Sequence, residues 1–149
     1  MNAQPTVLET LHTGFTVADV RATARFFREC LGFTVTEPHA PPGSMLSRII
    51  GVPGAEAQVA YVTAPNHVIE LLQYHRPEVQ SGVPRSPCEV GFAHVAFLVG
   101  DVEAVAHMAM EYGFMVQADI PRIETGRSKG RRATYIRDAF GFTIELMGH

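Results

Sequence analysis

The stretch from His12 to Phe33, HTGFTVADVRATARFFRECLGF, is answered later in the chain by His94 to Phe114, HVAFLVGDVEAVAHMAMEYGF. His12 falls on His94, Phe15 on Phe97, Val17 on Val99 and Asp19-Val20 on Asp101-Val102; after a one-residue gap, Gly32-Phe33 meets Gly113-Phe114. Self-similarity of this kind marks a supersecondary unit used more than once. The chain therefore reads as two modules, 7–76 and 91–148, with a connector at 77–90 that contains the Pro-, Gly- and Ser-rich run PEVQSGVPRSP.

Each copy opens with a strand and passes into a helix. Asp19 and Asp101 are suited to cap the helices, because an aspartate oxygen can accept from the free N–H groups of a first helical turn. Val20, Ala24, Phe27 and Leu31 recur at helical spacing before the stop at Gly32, and Val102, Val105 and Ala109 do so before Gly113. Strand-like runs fill the remainder: AQVAYVTA and HVIELLQY in the first module, ATYIRDA and FTIELMGH in the second. The segment GSMLSRIIGVPG, 43–54, reads as one short helix without a counterpart in the second half.

Side chains alternate across a strand, so the faces follow from the sequence. Thr13, Phe15 and Val17 turn toward the helices and leave His12, Gly14 and Thr16 opposite; Val95, Phe97 and Val99 likewise leave His94 opposite. In HVIELLQY, Ile69 and Leu71 take the helix side and Glu70 the other. In FTIELMGH, Ile144 and Leu146 take the helix side and Glu145 the other. Both modules thus present one His and one Glu on the sheet face turned away from the helices. A carboxylate on an apolar face costs several kcal/mol unless it is paired or bound to a metal. Two imidazoles and two carboxylates without a thiolate suit one divalent ion such as Ni, Co, Fe, Mn or Zn. Four such ligands around an octahedral ion leave two positions for water or substrate.

Composition bounds the remaining possibilities. With 149 residues, 46% hydrophobic and 18% charged, the chain can bury a substantial core. A net charge of -3 gives no reason to expect nucleic acid or a membrane surface as partner. No apolar run approaches the roughly 18 residues that span a bilayer, and the start MNAQPTVLET lacks the pattern of a signal peptide, so a soluble cytoplasmic protein is expected. Cys30 and Cys88 form no CxxC pair and are expected to be free thiols.

LHTGFTVADVRATARFFRECLGF, IELL, FAHVAFLVGDVEAV and YIRDAFGFTIEL together resemble the vicinal oxygen chelate superfamily, which includes glyoxalase I, methylmalonyl-CoA epimerase, extradiol dioxygenases, and fosfomycin- and bleomycin-resistance proteins. The resemblance spans nearly the whole chain. It implies an α+β fold of two βαβββ modules forming an open, cup-shaped mixed sheet around the metal. The implied ligands are His12, Glu70, His94 and Glu145, a set most similar to metal-activated glyoxalase I. By the same resemblance Glu145 is the first choice for the catalytic base, with Glu70 its partner. Thr16 and Tyr74 stand where bacterial glyoxalase I has residues that help hold glutathione, and the late motif is RDAFG instead of RDPDG.

The expected chemistry is isomerisation or epimerisation by proton transfer next to a metal-chelated carbonyl or enediolate. The substrate is expected to be a small molecule with adjacent oxygens, and exposed sheet edges favour a homodimer. Thr16, Tyr74 and Tyr135 are candidate substrate contacts, as are Arg127 and Arg131 in the basic loop ETGRSKGRR, where a carboxylate or phosphate could be clamped. An Fe(II)-dependent extradiol-type dioxygenase is the alternative, and an antibiotic-sequestering resistance protein the second alternative.

Overall fold

The computed structural model describes residues 6–78 and 84–149; residues 79–83 of the expected connector lie outside the described residues. The first module runs β1 (Thr13–Thr16), α1 (Val20–Arg25, continuing into a π-helical turn Phe26–Cys30), β2 (Thr34–Val35), α2 (Gly43–Ile50), β3 (Glu56–Ala64) and β4 (His67–Arg76). The second runs β5 (Val95–Val99), α3 (Val102–Met110), β6 (Met115–Val116), β7 (Arg132–Arg137) and β8 (Thr143–Gly148). Each module forms an open four-stranded mixed sheet, in the order β1-β4-β3-β2 and β5-β8-β7-β6. The fold is α+β with two βαβββ units, and α2 is the one helix that the second unit lacks.

The first and last strands of each module pair in parallel and the others antiparallel. Gly14 stands level with Glu70 in one sheet and Ala96 with Glu145 in the other, so the repeat holds in register as well as in sequence. Asn66, at φ 60, helps form the two-residue turn that joins β3 to β4 and fixes the pairing of Tyr61 with Glu70. At the end of β8, a Cβ on Gly148 would lie 2.0 Å from the Val99 carbonyl oxygen, so this parallel pair closes only around a glycine.

Both caps form. Asp19 Oδ1 accepts from the N–H groups of Arg21 and Ala22 at 2.9 and 3.0 Å, while Asp101 Oδ1 accepts from Ala104 N–H at 2.9 Å. The extra residue of the first copy is absorbed by the π-helical turn, where Leu31 N–H donates to the Phe26 carbonyl at 3.4 Å. Widening one turn seats two adjacent rings, Phe26 and Phe27, both fully buried.

Those rings lie in one core that the two modules share. Phe26 packs on Phe114 with ring centroids 4.2 Å apart, Phe15 on Phe142 at 5.2 Å and Phe33 on Phe97 at 5.3 Å. Ile69, Leu71, Ile144 and Leu146 complete it from the sheets and are fully buried. Each large apolar side chain buried in this way stabilises the fold by about 1.5–3 kcal/mol. The modules therefore meet through their helix-bearing faces, and the opposite sheet faces are turned away from the shared core.

α2 rests on one of those opposite faces. Leu46 and Ile50 pack against Ala55, Ala57 and Tyr74, and Gly51 at φ 72 ends the helix. Met45 and Ile49, on the outer side of α2, are exposed.

Candidate metal centre

Each opposite face carries a matched His/Glu pair. His12 precedes β1 and reaches across to β4, where its Nε2 lies 3.3 Å from Glu70 Oε2. His94 precedes β5 and its Nε2 lies 3.1 Å from Glu145 Oε2 on β8. The carboxylates are 18% and 20% exposed, so the two environments match in depth as well as in chemistry. An ion pair this close to solvent contributes at most about 1 kcal/mol, too little to explain a duplicated polar pair among aliphatic neighbours.

The spacing suits a shared ion. Two donors that each sit about 2.1 Å from one ion, at right angles to one another, stand about 3 Å apart. Each pair therefore stands at the spacing that two ligands of one ion would have. The four do not meet within one chain: among the described residues, no three His, Cys, Asp or Glu side chains are grouped closely enough to hold an ion. This follows from the shared core, because modules packed helix side to helix side must turn their pairs outward.

A tyrosine accompanies each pair, and the two differ. Tyr61 on β3 stands opposite Glu70 and its hydroxyl donates to Glu70 Oε1 at 2.8 Å, leaving Oε2 toward His12. This hydrogen bond, with burial and the nearby carboxylate charge adding to it, pushes the Tyr61 phenol above its ordinary pKa. Tyr135 on β7 stands opposite Glu145, but its hydroxyl lies 3.5 Å from His94 Nε2 and its ring packs on the imidazole at 4.9 Å. Burial, then the charge of Glu145, raises its phenol as well. Glu145 is left with the imidazole as its polar contact and borders a cleft of about 700 Å³.

A superfamily model described as Glyoxalase/Bleomycin resistance protein/Dioxygenase matches residues 10–146. The chain belongs to that superfamily. Among solved structures, a glyoxalase family protein from Bacillus cereus is similar at a TM-score of 0.81 and 21% identity, covering 98% of this chain and 97% of that one. A glyoxalase family protein from Enterococcus faecalis is similar at 0.63 and 21%, covering 94% and 97%. The fosfomycin resistance protein FosX from Mesorhizobium loti is similar at 0.54 and 15%, covering 95% and 91%. At these identities the likeness is one of fold. No curated protein sequence matches the chain. Among the described residues, no helix is long and apolar enough to cross a membrane.

Within this superfamily fold, the remaining candidates fall in different places. Tyr74 is half-buried in the cluster under α2. Thr16, at the end of β1, borders a second cleft shared with Arg85 and Phe92. Arg127 is exposed in the loop before β7; Arg131 is half-buried in the same loop, and neither borders the cleft at Glu145. Cys30 is buried and Cys88 exposed, and both are free thiols. Burial, with Glu111 nearby, raises the Cys30 thiol above its ordinary pKa.

Three residues of the site escape the repeat comparison of first strands and helices. Tyr61 could have been found by setting AQVAYVTA beside ATYIRDA, which places it on Tyr135. Phe92, in the segment just before β5, stacks on Tyr135 at 6.1 Å and carries no sequence signal. Arg137 shares the face of Tyr135 one pleat repeat further along β7. Its Nε donates to Thr143 Oγ1 at 2.8 Å, its guanidinium lies 5.3 Å from the Phe92 ring, and its buried Nη2 has no hydrogen-bond partner.

Proposed function

We propose that the chain is a divalent-metal-dependent enzyme of the glyoxalase type. It would isomerise or epimerise a small substrate with adjacent oxygens by moving a proton next to a carbonyl. The observation that carries this reading is the pair of His/Glu contacts, at 3.3 and 3.1 Å, in equivalent registers of two sheets. Because the two pairs face away from a shared core, a four-ligand site would combine His12 and Glu70 of one copy with His94 and Glu145 of a second. A homodimer of this kind holds two equivalent sites.

When bound, a divalent ion supplies Lewis acidity to the substrate oxygens. The chain's own residues divide the other tasks. Tyr61 holds one oxygen of Glu70 and so fixes how the other is presented. Glu145, free of a phenolic donor and open to the cleft, takes the proton from the substrate carbon and returns it to the neighbouring carbon. Tyr135 packs against His94 and keeps the imidazole turned toward Glu145.

Elemental analysis of protein purified without chelator should find one divalent ion per four-ligand site, and its absence at every metal supplied would overturn the reading. The two-copy arrangement has its own test. His12→Ala and His94→Ala should each abolish activity, and mixing them through unfolding and refolding should restore about a quarter of the sites, since each mixed dimer has one intact site. No recovery in demonstrably mixed dimers would place the four ligands otherwise.

A further inference from the structure

The cleft beside Glu145 says what kind of substrate arm the second module accepts. It encloses about 700 Å³ between β7 and the segment after β6. Pro87, Ala118, Pro121 and Ala133 supply apolar walls, and Tyr135 and Glu145 line it with them. That volume is ample for a ring or a branched aliphatic group attached to the atoms that the His/Glu pair would face.

Charge narrows the choice. The cleft is also bordered by Asp119, whose exposed carboxylate enters none of the ion pairs among the described residues. Among the described residues, no Lys or Arg borders the cleft. Arg137 lies beyond Tyr135, at the end of β7 away from Ala133, and is not among the residues that line the cleft; its Nε is held by Thr143 and its guanidinium lies over Phe92, while its buried Nη2 has no partner. The face around Glu70 adds Val59, Tyr61, Leu72 and Tyr74 by strand alternation, two aliphatic groups and two phenols without a cation. The Asp119 carboxylate on the cleft wall, with no Lys or Arg beside it among the described residues, disfavours an anionic arm there, because like charges placed together repel.

We infer that the cleft bordered by Ala133, Asp119 and Glu145 binds an uncharged, apolar arm of the substrate, an aryl or branched alkyl group, and discriminates against arms bearing a carboxylate. The inference rests on reading His94 and Glu145 as the end of the site that faces the paired oxygens. It separates this chain from enzymes whose substrates carry an anionic thiol or nucleotide handle.

The test uses two probes that differ in charge: 1-phenyl-1,2-propanedione and its counterpart with a carboxylate para on the ring. Equilibrium binding to the full chain, as purified and again after chelation, should favour the neutral probe by about tenfold or more. Ala133→Leu should weaken the neutral probe about tenfold by filling the cleft, and Asp119→Lys should tighten the carboxylate about tenfold. Equal or tighter binding of the carboxylate to the unmutated chain overturns the inference. So does absence of saturable binding of the neutral probe in either preparation, or indifference of both probes to Asp119→Lys. Metal content measured on the same samples tests the underlying reading separately: a chain that takes up metal yet shows no preference loses only the arm assignment, and a chain that keeps the preference without metal loses only the chelate.

Discussion

Glu70 and Glu145 occupy equivalent positions in two copies of one module, yet their surroundings diverge. Glu70 is held from one side by the Tyr61 hydroxyl and from the other by His12. Glu145 meets His94 alone and borders a cleft. The repeat supplies two matched His/Glu pairs, and under the proposed function this one difference in hydrogen bonding would make Glu70 a fixed ligand and Glu145 a movable base.

The sharpest way to break that comparison is to neutralise each carboxylate in turn. Glu145→Gln should lower turnover by about 10²–10⁴ while metal is retained, which is the size of effect expected for a lost general base. Glu70→Gln should instead weaken metal binding, read by competition with a chromogenic chelator. If the two substitutions act alike on metal and turnover, the division of labour fails.

A comparison of the modules as folding units comes next. Phe26→Ala and Phe114→Ala remove opposite members of the 4.2 Å ring contact, and each should cost about 3–5 kcal/mol in denaturant unfolding. Because the core is shared, each variant should still unfold in a single transition followed by far- and near-UV dichroism. Two separated transitions would mean that the modules are independently stable.

The tyrosines give a subtler contrast. Tyr61→Phe should weaken metal binding by about tenfold or more, as loss of a hydrogen bond that orients a ligand typically does, whereas Tyr135→Phe should change it little. In the parent chain, an ultraviolet titration should show Tyr61 ionising above the ordinary tyrosine range, and Glu70→Gln should bring that transition down, since the carboxylate is the main cause of the shift. The smallest effect is at the caps. Asp19→Ala removes two hydrogen bonds and Asp101→Ala one, so the first should cost more in thermal unfolding, both near about 1 kcal/mol.

Much of this arrangement was legible before any coordinates. Strand alternation places Ile69 and Leu71 in the core and Glu70 outside it, and the same rule separates Ile144 and Leu146 from Glu145, because both helix-side pairs are driven into one apolar interior. The caps at Asp19 and Asp101 are local signals and needed no tertiary context. Tyr61 was hidden for a different reason: its partnership with Glu70 depends on the antiparallel register set by the turn at Asn66, which joins residues far enough apart that neither strand alone reveals it. That the two His/Glu pairs lie apart was also beyond a local reading. It depends on which faces of the modules pack together, and alternation assigns residues to faces without saying what each face meets. The basic loop shows the converse limit. Arg127 and Arg131 look like a clamp in one dimension, but the cleft at Glu145 is bordered by other residues.

The π-helical turn at Phe26–Cys30 has a bearing on ancestry. When a gene segment is doubled, its copies drift, and an added residue inside a helix would ordinarily rotate everything after it by about 100°. A widened turn confines the disturbance to a few residues, so β2 and the strands that follow keep their places in the sheet. Divergence in length between the halves was thereby made compatible with retaining both His/Glu pairs, and relatives of this chain should differ in residue count at this helix while the strands that carry those pairs stay aligned.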